Sequence, residues 1–199
     1  HLQTLAKVIN SKNSLPILDC FLFEIAGGRL NITASDSENV MKSSIQLNES
    51  DTEGSFAIPN RTILDAMKEL PDQPLTFDVD TLSLTIKVLY QNGIYNFAAQ
   101  RADEYPCTQP MPGNATVVTI DATVLNNCIS RSLFATAQDE LRPVMNGIYF
   151  DLTADGLAIV ASDGHKLVRN KNFTIKSDTP ASFILPKKPA TLLKNILSK

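Results

Sequence analysis

One register relates the two halves of this chain, and it limits the fold more than any other feature of the sequence. The segment Leu15 to Asp36 aligns without a gap on Arg142 to Asp163, placing Asp36 on Asp163 at an offset of 127 residues. In that register Pro16 meets Pro143, Phe23 meets Phe150, Leu30 meets Leu157, Ile32 meets Ile159, and Ala34-Ser35-Asp36 meets Ala161-Ser162-Asp163. The same offset carries Ser55-Phe56-Ala57-Ile58-Pro59 onto Ser182-Phe183-Ile184-Leu185-Pro186, and Leu70 onto Leu197. Alternating apolar residues alone make any two hairpins look alike over a short window. They do not hold Pro, Phe, Ser and Asp in one frame over this distance, so the chain reads as two copies of one module.

The offset also frames the ends. Residues 116 to 127 and 73 to 115 have no counterparts within the chain, so the first copy is expected to lack its first strand and the start of its first helix. The second copy is expected to lack its last strands. The modules are placed at residues 1–110 and 116–199, joined through Tyr105 to Ala115, which holds three prolines and a glycine.

Within each module the patterning predicts α+β structure, an antiparallel sheet with helices on one face. Leu2 to Asn10 reads as a helix, followed by strands near Ile17 to Ile25, Arg29 to Ala34 and Asn39 to Leu47. The first two of these strands join at Ala26-Gly27-Gly28-Arg29, whose counterpart is Thr153-Ala154-Asp155-Gly156. Ser55 to Ile58 forms a short strand, and Pro59 suits the first helical position because its missing N–H needs no partner there. The helix runs to Leu70 with Ile63, Leu64, Met67 and Leu70 as its apolar stripe. Strands follow at Leu75 to Val79, Ser83 to Val88 and Gly93 to Ala98, and the second copy restarts at Thr116.

Composition narrows the function classes. Hydrophobic residues make up 43% of the 199, ample for packed cores, and no apolar run is long enough for a membrane helix. No signal-peptide order stands at the start. Three scattered cysteines, Cys20, Cys107 and Cys128, with no CxxC pair, fit neither a disulfide framework nor a zinc site and suit a reducing cytoplasm. No metal or cofactor is implied.

The net charge of −3 speaks against a nucleic-acid partner unless charge is unevenly distributed. It is. The four predicted helices, residues 1–12, 59–70, 121–137 and 186–199, hold nine bases, Lys7, Lys12, Arg61, Lys68, Arg131, Lys187, Lys188, Lys194 and Lys199. Against these stand three acids, Asp65, Glu69 and Asp121. On the last helix the lysines fall opposite Leu192, Leu193, Ile196 and Leu197 at 100° per residue. Such a layer can meet phosphates; alternatively the lysines only complement helix C-termini. With no tryptophan, no base-stacking platform and no recognition-helix or zinc-finger signature, any contact with nucleic acid is sequence-blind.

Several motifs suggest a family. LPIL at Leu15 to Leu18, ITASD at Ile32 to Asp36, RPVMNG at Arg142 to Gly147, ASDGHKL at Ala161 to Leu167 and ILPKK at Ile184 to Lys188 resemble the β sliding clamp of bacterial DNA polymerase III. That resemblance covers essentially the whole chain. It implies a cytoplasmic, non-enzymatic processivity factor of three similar domains per subunit, helices inside and sheets outside, closed as a homodimeric ring around double-stranded DNA. The implied partners are the DNA polymerase III catalytic subunit, the clamp loader and other proteins carrying clamp-binding motifs. A piece with domain one and part of domain two, lacking the third, is expected to be monomeric and not to load on circular DNA.

Residue by residue, the resemblance puts part of a partner-peptide pocket at Met145, Ser162, Gly164, His165, Lys166 and Leu167. Met145 stands where Leu is frequent and Lys166 where Arg is frequent. From the residues themselves, Asp163-Gly164 is turn chemistry, and Met145 and Leu167 beside His165 could accept a short hydrophobic motif. The first copy has Ser35-Asp36-Ser37-Glu38-Asn39 there, keeping the turn without Gly-His-Lys. The plainer alternative is an exposed hairpin histidine without a role.

For DNA the resemblance points to Lys12 and to the loop from Gln138 to Arg142, while Arg61, Lys68, Arg131, Lys187 and Lys188 follow from the charge argument. Two rival functions stand beside this one. A catalytic trio of Ser162, Asp163 and His165 is disfavoured because a nucleophile and its base must converge while a third group orients the base, and neighbours in one tight turn rarely do. A repeat protein that binds peptides but not DNA would keep its function when the helical lysines are neutralised.

Overall fold

The structure is a computed structural model that describes residues 1–106, 113, 115–138 and 141–198. Cys107, Lys199 and most of the predicted linker therefore lie outside the described residues. The chain divides into two compact units, His1–Gln109 and Pro110–Lys199.

In the first unit, β1 (Cys20–Ala26), β2 (Arg29–Ser35), β3 (Val40–Gln46) and β4 (Gly54–Pro59) form an antiparallel sheet in the order β3-β2-β1-β4. A second sheet runs β5 (Thr76–Asp80), β6 (Thr85–Tyr90), β7 (Gly93–Ala98). The helices are α1 (Leu2–Leu5) and α2 (Asn60–Glu69). Phe21 and Phe23, two apart on β1 and so on one face, are fully buried. Phe23 lies opposite both Ile32 and Phe56, and its ring meets those of Phe56 at 5.3 Å and Phe77 at 6.3 Å. Aromatic burial thus joins both sheets into one core.

In the second unit, β8 (Gly147–Thr153), β9 (Gly156–Ser162), β10 (Leu167–Asn172) and β11 (Ala181–Pro186) take the order β10-β9-β8-β11. Each starts 127 residues beyond its counterpart in the first sheet. Phe150 lies opposite Phe183, as Phe23 does opposite Phe56, with ring centroids 5.0 Å apart. The helix α3 (Ala122–Ser132) packs on β9 and β10, α4 (Lys187–Leu197) packs on β8 and β11, and the two helices touch. The Asp121 side chain caps α3, accepting the backbone N–H groups of Thr123 and Val124 at 2.9 and 3.1 Å. The predicted α+β class and the duplication are both present.

Several boundaries differ from the sequence reading. The strand expected from Ile17 begins at Cys20, because Pro16–Asp19 forms a 3-10 turn; Pro143–Met145 does the same in the second copy. A proline at the first position has no N–H for a ladder and favours such a turn. Pro59 ends β4 and caps α2 rather than opening the helix, and Pro186 does so for α4. Each keeps an extended ψ, 125° and 157°, while its φ satisfies the ring. The helix expected over Leu2 to Asn10 stops at Leu5 and tightens into i→i+3 bonds from Lys7, Val8 and Ile9. β-Branched Val8 and Ile9 are poor helix formers, and burying Leu5 and Val8 needs only that spacing. Residues 115–121 form no strand, although Val118 and Ile120 pack on the core of the second unit. The helix expected through residue 137 ends at Ser132 and passes into the 3-10 turn Leu133–Ala135.

The two β-hairpin turns also differ. Gly27 and Gly28 both adopt left-handed φ, 56° and 72°, as a tight primed turn requires. In the counterpart turn, Thr153 to Gly156, only Gly156 has a positive φ, at 134°, and a Cβ there would stand 2.5 Å from the Asn172 carbonyl oxygen.

Candidate binding surfaces

The segment linking β9 to β10 is built by its own side chains. The Asp163 carboxylate accepts the backbone N–H groups of His165 and Lys166 at 3.0 and 2.9 Å, and pairs with the Lys166 ammonium at 2.7 Å. The Ser162 hydroxyl accepts the Gly164 N–H at 3.1 Å and donates to the Lys166 carbonyl at 2.9 Å. These bonds, the Lys166 side chain first, hold the Asp163 carboxyl well below the usual carboxylate range. Ser162 and Asp163 are thus engaged in shaping the backbone, and the catalytic alignment weighed from sequence is not formed: Asp163 takes the main-chain N–H of His165.

The first copy repeats the backbone-directed part of this design. Ser35 accepts the Ser37 N–H at 3.1 Å, and Asp36 accepts those of Glu38 and Asn39 at 3.0 and 2.6 Å. The Asn39 amide reaches the Asp36 carboxylate where Lys166 reaches Asp163. Ser37 sits at φ 81° and Gly164 at φ 90°. The glycine is therefore what the backbone prefers, and Lys166 has a counterpart in Asn39. Of the Gly-His-Lys triplet, the turn assigns work to Gly and Lys, while exposed His165 is the residue that its geometry does not require.

Beside this turn lies the loop predicted to contact DNA, of which Asp139 and Glu140 are outside the described residues. Its base is closed by the Ala137 N–H donating to the Met145 carbonyl at 2.8 Å, and the Met145 N–H donates to the Arg142 carbonyl at 2.9 Å. The Arg142 side chain reaches the turn, its Nη1 lying 3.1 Å from where a Gly164 Cβ would stand. Sequence reading assigned Arg142 to DNA alone; its approach to Gly164 depends on tertiary closure with no local signal. Met145 is half-buried, and the apolar surface around these residues includes exposed Val144 and Leu167. Val144, the residue after a turn-forming proline, was passed over.

The basic residues are distributed less evenly than predicted. Lys7 lies beyond α1, and exposed Lys12 sits in an irregular bend. On α2, Arg61 and Lys68 are exposed alongside Asp65 and Glu69, and Lys68 pairs with Asp65 at 3.2 Å, so this helix has no cationic excess. Exposed Arg131 near the end of α3 lines a 260 Å³ cavity with Asn170 and Lys171, and Gln138 is exposed. The excess gathers on α4, where Lys187 and Lys188 occupy the first turn and Lys194 the last. These lysines are half-buried rather than fully outward, and Ile196, expected in the core, is 37% exposed. Beside α4 lie both the sheet and α3, and Ala190 joins the core of this unit with Leu193 packed against it, which broadens the inner face of the helix. Lys187 and Lys188 stand at the positive end of the helix dipole with no acid in that turn, and for Lys187 this arrangement is unfavourable by about 0.3–1 kcal/mol unless an anion is near. Arg61 and Lys188 occupy the same position in the two copies.

Among the described residues no cluster of His, Cys, Asp and Glu could hold a metal, and no helix is long and apolar enough to cross a membrane.

A duplicated module of antiparallel sheet and helices, carried twice along one chain, defines the DNA-clamp class of fold. The family description "DNA polymerase III beta subunit, N-terminal domain" matches residues 1–109, and "DNA polymerase III beta subunit, central domain" matches residues 119–199. The beta sliding clamp of Pseudomonas putida is 28% identical over 199 residues, covering 99% of this chain and 53% of that protein; the Haemophilus influenzae beta sliding clamp is 30% identical, covering 98% and 53%. The crystal structure of the DNA polymerase III subunit beta from Pseudomonas aeruginosa superposes with a TM-score of 0.89 at 26% identity, covering the whole of this chain and 53% of that one. The chain belongs to the DNA polymerase III beta subunit family and spans about half the length of the curated relatives it matches.

Proposed function

We propose that this chain is part of a cytoplasmic, non-enzymatic sliding clamp that encircles duplex DNA without sequence preference and tethers a DNA polymerase through a peptide pocket. The observation that carries the DNA half is the basic residue repeated at one helical position, Arg61 and Lys188, joined at the start of α4 by Lys187 where the helix dipole opposes it. Lys12, Lys68, Arg131, Gln138 and Arg142 extend the phosphate-facing set. In the full-length protein the modules close as a homodimeric ring, and the polymerase III catalytic subunit, the clamp loader and other motif-bearing proteins share the pocket.

Binding of two duplexes of unrelated sequence, followed by anisotropy at rising salt, tests the DNA half. Equal affinities that fall steeply with salt are expected, because released counterions and not base contacts supply the energy. A marked preference for one duplex, or affinity indifferent to salt, would contradict it.

The pocket comprises Met145, Ser162, Gly164, His165, Lys166 and Leu167. His165→Ala removes the one side chain that the turn does not use, and Met145→Ala removes a half-buried apolar wall. Each is expected to weaken a short hydrophobic peptide by about 1–2 kcal/mol, roughly five- to thirtyfold in Kd. Unchanged affinity in both, measured by calorimetry, removes the pocket from this turn.

A further inference from the structure

We infer that Arg142 couples the two surfaces: duplex DNA and a hydrophobic peptide draw on this one side chain, and each weakens the other. The inference rests on the DNA and pocket readings above and adds their regulation. Arg142 touches both sides of the pocket. Its carbonyl fixes the turn that presents Met145, through the 2.9 Å bond from the Met145 N–H. Its guanidinium lies against Gly164, 3.1 Å from the site of a Cβ, an approach for which glycine leaves room. The Ala137 N–H bonded to the Met145 carbonyl anchors the loop bearing Gln138 and Arg142 on the same residue.

The first copy supplies an internal control. Leu15 stands at the position of Arg142 and Ser37 at that of Gly164, although the 3-10 turn and the Ser-Asp turn are both conserved between the copies. The Arg142 and Gly164 contact is therefore no requirement of the module. A guanidinium keeps its charge at any working pH and offers a planar fork of donors to a phosphate. Seated on Gly164 it walls the pocket; drawn out to a phosphate it leaves that wall open. One side chain cannot hold both places, and the linkage is reciprocal for the two affinities.

The test follows amide signals of the 199-residue chain by NMR as a short duplex is added. The amides of Gly164 and His165 are expected to shift together with those at the start of α4, and the Kd of a short Leu- and Phe-containing peptide to rise about fivefold at saturating DNA. Arg142→Gln binds the duplex more weakly, and at DNA concentrations raised until the α4 shifts saturate, the Gly164 and His165 signals stay in place and the peptide Kd becomes indifferent to DNA. Wild-type α4 shifts without any change at Gly164, or coupling that survives in Arg142→Gln, overturns the inference. Absence of every shift overturns the DNA reading itself, a separate and recognisable failure.

Discussion

Gly156→Ala is expected to lower the unfolding free energy by about 3 kcal/mol or more. Two causes add. The backbone at φ 134° lies where residues with a Cβ cost about 1–3 kcal/mol. The new methyl would also stand 2.5 Å from the Asn172 carbonyl oxygen and 3.2 Å from the Phe173 Cα, main-chain atoms that cannot swing aside as a side-chain tip can. The last residue of β10 must then retreat from β9. Gly27→Ala is the comparison: its φ is 56°, but the space beyond it is open, so only the conformational cost of about 1 kcal/mol remains. Urea denaturation of both variants checks the difference. Equal losses would mean that β10 does not press on Gly156.

A charge reversal at the start of α4, Lys187→Glu, is expected to move stability and DNA binding in opposite directions. A glutamate in the first turn of α4 suits the dipole, so the variant should gain about 0.3–1 kcal/mol at low salt. DNA retention should fall, with the slope of log affinity against log salt reduced by about one, for the phosphate contact removed. The opposed signs matter because a misfolded variant would lose both. Unchanged DNA affinity in a stabilised variant would take Lys187 out of the interface and leave it as surface solubility.

The duplication was legible from sequence because its markers are residues that alternation alone does not place: Pro16 and Pro143, Phe23 and Phe150, Asp36 and Asp163. The strand pairing repeats with it, down to the matching phenylalanine pairs, but beyond the first hairpin the sequence did not say which strands are neighbours. Element ends were less legible. Prolines at 16, 59, 143 and 186 mark each junction, yet whether a proline closes one element or opens the next is decided by ψ, which tertiary pairing sets. The short α1 was overread because Leu2, Leu5 and Val8 have helical spacing that 3-10 turns satisfy equally well.

The surfaces were legible in part. Ser162 and Asp163 as turn formers could be read locally, since their bonds reach only two to four residues ahead. The approach of Arg142 to Gly164 spans 22 residues and depends on loop closure at Met145. The charge layer was overdrawn because helix limits decide which lysines it contains: Lys7 and Lys12 fall outside α1, and the acids of α2 offset its bases.

In both copies a serine and an aspartate hold the bend between the second and third strands, so the identity of the residue at its tip, Glu38 in one and His165 in the other, leaves the main chain unaltered. Such a bend is a socket whose exposed tip is interchangeable. A duplicated domain built this way can carry a different recognition chemistry in one copy by changing an exposed residue, while both copies keep the same scaffold and neither has to refold.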